Sequence, residues 1–95
     1  MVTGKTSSGF EFTVNESLKN DFRFVLAYDE LMNGEPSAQL SASAKLVKIV
    51  LGESGAKRLY AHVQEADGFL PTDKVMAELT EIVTASGKMD GEVKN

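Results

Sequence analysis

The chain has no cysteine, no tryptophan, one histidine and two prolines among 95 residues. Without cysteine there is no disulfide staple, no thiolate nucleophile and no cysteine-ligated zinc. One histidine excludes a multi-histidine metal site. No apolar run approaches the roughly 18 residues that a membrane span requires. The opening Met1-Val2-Thr3-Gly4-Lys5-Thr6 has no apolar h-region, which predicts that no secretory signal is present. Glycines occur singly, with neither a phosphate-binding loop nor a dinucleotide fingerprint among them. What remains is a chain with 42% hydrophobic and 25% charged residues, the composition of one small globular domain.

Ten Lys and Arg against fourteen Asp and Glu leave a net charge of −4. This balance argues against general nucleic-acid binding, which depends on neutralising several phosphates. The charge is also segregated. Residues 1–36 and 67–95 are acidic, while residues 37–66 carry Lys45, Lys48, Lys57 and Arg58 against Glu53 and Glu65. A basic middle facing an acidic end of a neighbouring copy would give a head-to-tail contact.

Residues 10–14, Phe-Glu-Phe-Thr-Val, alternate apolar and polar as a strand does, with Phe10, Phe12 and Val14 on one face. Such a strand needs a partner. Val2–Thr6 can supply one through a Ser7-Ser8-Gly9 turn, and so can the strand edge of another copy. Asn15 reads as a cap or turn residue before a helical segment over about 16–33, with Asn20 and Asp21 as caps if the regular helix starts late. Leu18, Phe22, Val25 and Met32 lie near one stripe of that segment, and Phe24, Tyr28 and Leu31 on an adjoining one. Asn33-Gly34 is expected to end it in the left-handed conformation.

Further helices are predicted over about 37–51, 54–66 and 72–86, stopped by Gly52, Asp67-Gly68 and Gly87. Pro71 and Asp73 suit the start of the last one. Residues 88–95 are expected to be a disordered tail. The predicted fold class is mainly α: a small bundle of about four short helices with an N-terminal β-strand or hairpin, one domain over residues 1–87. The expected core is Phe22, Val25, Leu46, Val50, Leu59, Val63, Leu79 and Ile82.

No constellation for catalysis, cofactor binding or metal binding stands out. His62 has no Ser or Asp at a recognised catalytic spacing and reads as a structural histidine. Glu78 and Glu81, i and i+3 on the last helix, read as a solvated face, as do Asp29 and Glu30. Apolar residues in awkward places are the better clue. Phe69 and Leu70 fall in a loop, and Phe10 and Phe12 lie on a strand edge, so these four are the candidates for partner binding or self-association. Lys57 and Arg58, after a short turn between two helices, give a small helical DNA-binding regulator as the competing reading.

The order of parts resembles a known family. A Ser-Gly-Phe-Glu-Phe strand (8–12) leads into an acidic turn and an aromatic-rich first helix. Gly-Glu-Pro (34–36) precedes a helix ending Val50-Leu51-Gly52-Glu53. Lys57-Arg58-Leu59-Tyr60-Ala61-His62-Val63 forms the next, and Asp67-Gly68-Phe69-Leu70-Pro71 introduces a last helix that ends near Gly87-Lys88. Over roughly residues 8–88 this resembles the tail assembly chaperones of long-tailed bacteriophages and prophages.

The resemblance implies a non-enzymatic, cofactor-free, mostly helical oligomer in the cytoplasm of the bacterial host. Its implied partners are the tape-measure protein, which it coats, the tail-tube protein, which it recruits, and further copies of itself. It is absent from the mature virion. The family is often made in two lengths by ribosomal slippage, and Ser86-Gly87-Lys88 can be encoded by a slippery heptamer.

Overall fold

The alternating N-terminal segment pairs within its own chain. In a computed structural model, which describes the backbone of residues 1–94 and the side chains of residues 1–86, strands β1 (Val2–Lys5) and β2 (Glu11–Val14) form an antiparallel hairpin. Val2 stands opposite Val14, and Lys5 opposite Glu11. The turn is closed by hydrogen bonds from Thr6 N–H to Phe10 O (2.9 Å) and from Gly9 N–H to Thr6 O (2.9 Å). Phe10, Phe12 and Val14 share the inner face and are all buried.

A two-stranded hairpin is marginal alone, so it lies on the helices. β2 packs against α2 (Pro36–Val63) and β1 against α3 (Thr72–Lys94). The helix α1 (Phe22–Asn33) packs chiefly on α2. Leu46, Val47 and Leu59 of α2 and Leu79 and Ile82 of α3 close the core with Val14, all at 1% exposure or less.

The first helical segment does start late. Asn15 Oδ1 accepts from Ser17 N–H (2.8 Å), one 3-10 turn follows over Leu18–Asn20, and Asp21 is the N-cap of α1. Asp21 Oδ1 accepts from Arg23 N–H at 2.9 Å and satisfies one of the helix's unpaired amides. α1 ends at Gly34, though not in the left-handed form expected. Gly34 has φ −83° and ψ 174°, which any residue adopts. Glycine is needed there for space, because a Cβ would lie 2.6 Å from the Glu30 carbonyl oxygen and 3.2 Å from Ala38 Cβ. This close approach lets Pro36 open α2 only two residues after α1 ends.

α2 is broken at Gly52 into two limbs, residues 36–51 and 53–63. The break falls where the sequence predicts a stop. Its geometry, φ 75° and ψ 174°, belongs to a region that is almost exclusively glycine's. Gly52→Ala is therefore expected to destabilise the fold by about 1–3 kcal/mol, read from urea unfolding. A loss below about 0.5 kcal/mol, the range of neutral surface changes, would mean that the break tolerates a side chain.

The second limb stops at Val63 rather than at 66. Gln64 turns extended while its N–H still reaches Tyr60 O, and its side-chain amide bonds Gly68 O at 2.9 Å. This shapes a tight loop over 64–71. At the other end of the chain, α3 passes through Gly87 to Lys94, which corrects the expected stop at Gly87 and the disordered tail over 88–94. A glycine inside a helix costs only about 1 kcal/mol relative to alanine, too little to end one by itself. Asn95, the last residue of the expected tail, lies outside the described residues. Among the described residues no helix is long and apolar enough to cross a membrane.

Candidate functional site

The four residues singled out for partner binding are not brought together as one surface. Phe10 and Phe12 are each 4% exposed and belong to the chain's own core, because the hairpin closes on itself and turns its apolar face to the helices. This removes them as an exposed partner surface. Leu70 is half-buried. Phe69 is exposed, held by a loop in which Phe69 N–H donates to Asp67 Oδ1 at 3.0 Å.

The larger apolar surface is on α1. Ala27 is buried against the core, and Phe24 and Leu31 are partly buried with it. Every third or fourth residue from Phe22 then falls on the opposite side of the helix. Phe22 is 68% exposed, Leu26 58%, Met32 57% and Val25 41%. Phe22 and Val25 are thus on the outside, contrary to the expected core. Of the two adjoining stripes, the scaffold buries the one carrying Phe24 and Leu31. A helix apolar on both faces is normally enclosed, yet α1 is covered on one side only.

Beside this face, between α1 and the first limb of α2, runs an open groove of about 720 Å³. Leu26, Ala27 and Ile49 form its apolar lining, with Arg23, Glu30, Lys45 and Lys48 around it. Lys45 Nζ lies 3.9 Å from Glu30 Oε1. Arg23 grips Asp21 with two of its nitrogens, Nε to Oδ1 at 3.0 Å and Nη2 to Oδ2 at 2.6 Å. The Arg23 side-chain bonds, reinforced by its backbone N–H, hold the Asp21 carboxyl below its ordinary range, and the same pair raises the Arg23 guanidinium. Both groups are in solvent, so the pair adds little stability.

The structure also assembles a polar cluster that the sequence reading missed. Glu78, expected on a solvated face, is 5% exposed. Its Oε2 accepts from Ser8 Oγ in the hairpin turn. Ser8 Oγ is also 2.9 Å from His62 Nε2 and 3.1 Å from Thr6 Oγ1. A hydroxyl has one proton. With that proton directed to Glu78 Oε2, the Ser8 oxygen is left as an acceptor facing Thr6 Oγ1 and His62 Nε2. Thr6 Oγ1 in turn accepts from Phe10 N–H at 3.1 Å.

This cluster brings a serine, a histidine and a carboxylate together in an order different from that of a Ser-His-carboxylate triad, because the carboxylate meets the serine rather than the imidazole. Its role in this arrangement is to pin the hairpin turn to α2 and α3.

Glu81 does the same one turn along, accepting from Ser7 Oγ (2.7 Å) and Ser7 N–H (2.8 Å). Those two bonds, the side-chain one first, hold its carboxyl below the ordinary glutamate value. Arg58 completes the attachment. Its guanidinium sits 5.1 Å from the Phe10 ring centroid, and Nη2 donates to Glu11 O at 2.9 Å. One of the two cations that suggested DNA binding is thus engaged with the hairpin. The signal for the cluster was present only as small polar residues in a turn and carboxylates at i, i+3, which are common on any surface.

Among the described residues no group of three or more His, Asp or Glu is placed to hold a metal ion. No protein-family model matches the chain, and neither a curated protein nor a solved structure shows significant similarity to it.

Proposed function

We propose that this protein is a non-enzymatic assembly chaperone of the kind that serves long-tailed phage tails. It oligomerises, coats the apolar helices of a tape-measure protein and recruits tail-tube subunits in the host cytoplasm, without entering the finished particle. The outward apolar face of α1 carries the reading. A small helical scaffold that leaves Phe22, Val25, Leu26 and Met32 to solvent can hold another amphipathic helix by its apolar stripe. The order of sequence elements supports the same family. A net charge of −4 supports solubility of the loaded complex.

The test is co-expression with a helical segment of a tape-measure protein from a long-tailed phage. The segment alone is expected to precipitate, and with this chain to be recovered in a soluble complex that survives size exclusion. Equal precipitation with and without the chain would sink the reading. The DNA-binding alternative predicts a duplex shift at low salt that needs Lys57 and Arg58 and fades steeply as salt rises.

A further inference from the structure

The outer face of α1 has a self-complementary pattern. Phe22, Val25, Asp29 and Met32 follow the alternating three- and four-residue spacing of a coiled-coil seam, with Leu26 on the flank that opens into the groove. Arg23 and Glu30 lie on that same flank, one near each end of the helix. In an antiparallel pair of identical helices, like flanks face each other. A two-fold axis crossing the helix at residues 26–27 therefore sets Phe22 against Met32 of the partner subunit and Arg23 beside Glu30 of the partner subunit.

We infer that the outer face of α1 is a homodimer contact, in which α1 of one copy packs antiparallel on α1 of a second copy through this seam. The inference specifies one mode of the self-association in the proposed function and rests on that reading only to this extent.

Three observations favour a second copy as the occupant. The charges complement themselves about the axis: Arg23 uses Nε and Nη2 on Asp21 and keeps further donors of its fork for a second carboxylate. Four large apolar side chains between 41% and 68% exposed amount to a patch on the order of several hundred Å², the size at which a monomer's largest apolar patch is often functional and roughly half of what one side of a standard interface contributes. Finally, Asp29, mid-seam and bonded by Asn33 Nδ2 at 2.9 Å, is the kind of single polar seam residue that fixes register at some cost in affinity. On this arrangement a client helix must displace the second copy to reach the face.

The experiment is sedimentation velocity on the full chain over a concentration series, with far-UV circular dichroism on every variant. The wild type is expected to be a dimer at micromolar concentration. Leu26→Asp, at an exposed site, is expected to be a monomer of unchanged helix content. Arg23→Glu and Glu30→Arg are each expected to weaken association about tenfold, and the double variant to recover most of the loss.

A wild type that stays monomeric to about 1 mM, the weakest range of useful affinity, would overturn the inference. So would a dimer that survives Leu26→Asp. Charge swaps whose double variant recovers nothing would overturn the antiparallel pairing. Capture of a tape-measure segment by a chain that never dimerises would leave the proposed function standing and this inference refuted.

Discussion

Leu59→Ala is expected to lower the unfolding free energy by about 2–5 kcal/mol. Leu59 is fully buried in the second limb of α2, within the cluster that joins the hairpin to α3. Replacing its isobutyl side chain with a methyl removes one methine and two methyl carbons, forfeits their transfer free energy and leaves a cavity that a close-packed core relaxes only partly. A chain of 95 residues holds only about 5–14 kcal/mol of net stability, so one such cavity removes a large share of it.

The informative control is Phe22→Ala, a larger truncation at a side chain that is 68% exposed. Its cost should stay within about 0.5 kcal/mol, provided that unfolding is followed at a dilution where association contributes nothing. Equal costs at the two positions would mean that α1 packs through the other stripe.

That contrast marks where the sequence was informative and where it was not. The strand and its inner face are legible because a two-residue period assigns faces without reference to the rest of the chain, and Phe10, Phe12 and Val14 fall on one side as the alternation requires, whereas the intrachain pairing with Val2–Lys5 is shown only by the structure. The helix breaks at Gly52 and before Pro71 are legible because glycine admits a backbone conformation closed to other residues and proline cannot continue a preceding helix. Leu46, Val50, Leu59, Leu79 and Ile82 were readable as core because each sits on a stripe with polar residues opposite.

α1 offers no such contrast. With Phe22, Val25, Leu26 and Met32 on one side and Phe24, Ala27 and Leu31 on the other, periodicity leaves two solutions, and the choice depends on how Asp21 caps the helix and how Gly34 turns the chain into α2. Phe12 lies in the strand and Phe10 just before it, and both are buried by the chain's own helices rather than by a partner; a strand's pattern does not say which chain supplies its cover. The cluster of Ser8, His62 and Glu78 is not legible in the sequence because Ser8, in the hairpin turn, is 54 residues from His62 and 70 from Glu78.

Ser8→Ala is expected to cost about 2–3 kcal/mol, more than the loss of an exposed turn serine ordinarily would. Ser8 itself is exposed, but among the described residues its hydroxyl is the only hydrogen-bond partner of the buried Glu78 carboxylate. Oε2 accepts from Ser8, and Oε1 is buried with no partner among the described residues. Without the serine hydroxyl, a carboxylate that is 5% exposed keeps its desolvation penalty and loses its donor. The asymmetry between removing one partner and removing both decides the test.

In Glu78→Met the charge disappears with its need for a donor, and a side chain of similar length fills the site, so the cost is expected to be within about 1 kcal/mol or to turn into a gain. Ser8→Ala added to Glu78→Met is then expected to cost almost nothing further, which makes the two changes strongly non-additive. Chemical denaturation of the four proteins of the cycle reads this directly. If Ser8→Ala costs the same with glutamate or methionine at position 78, the serine does not serve the buried carboxylate, and the hairpin turn is held to α3 by Ser7 and Glu81 alone.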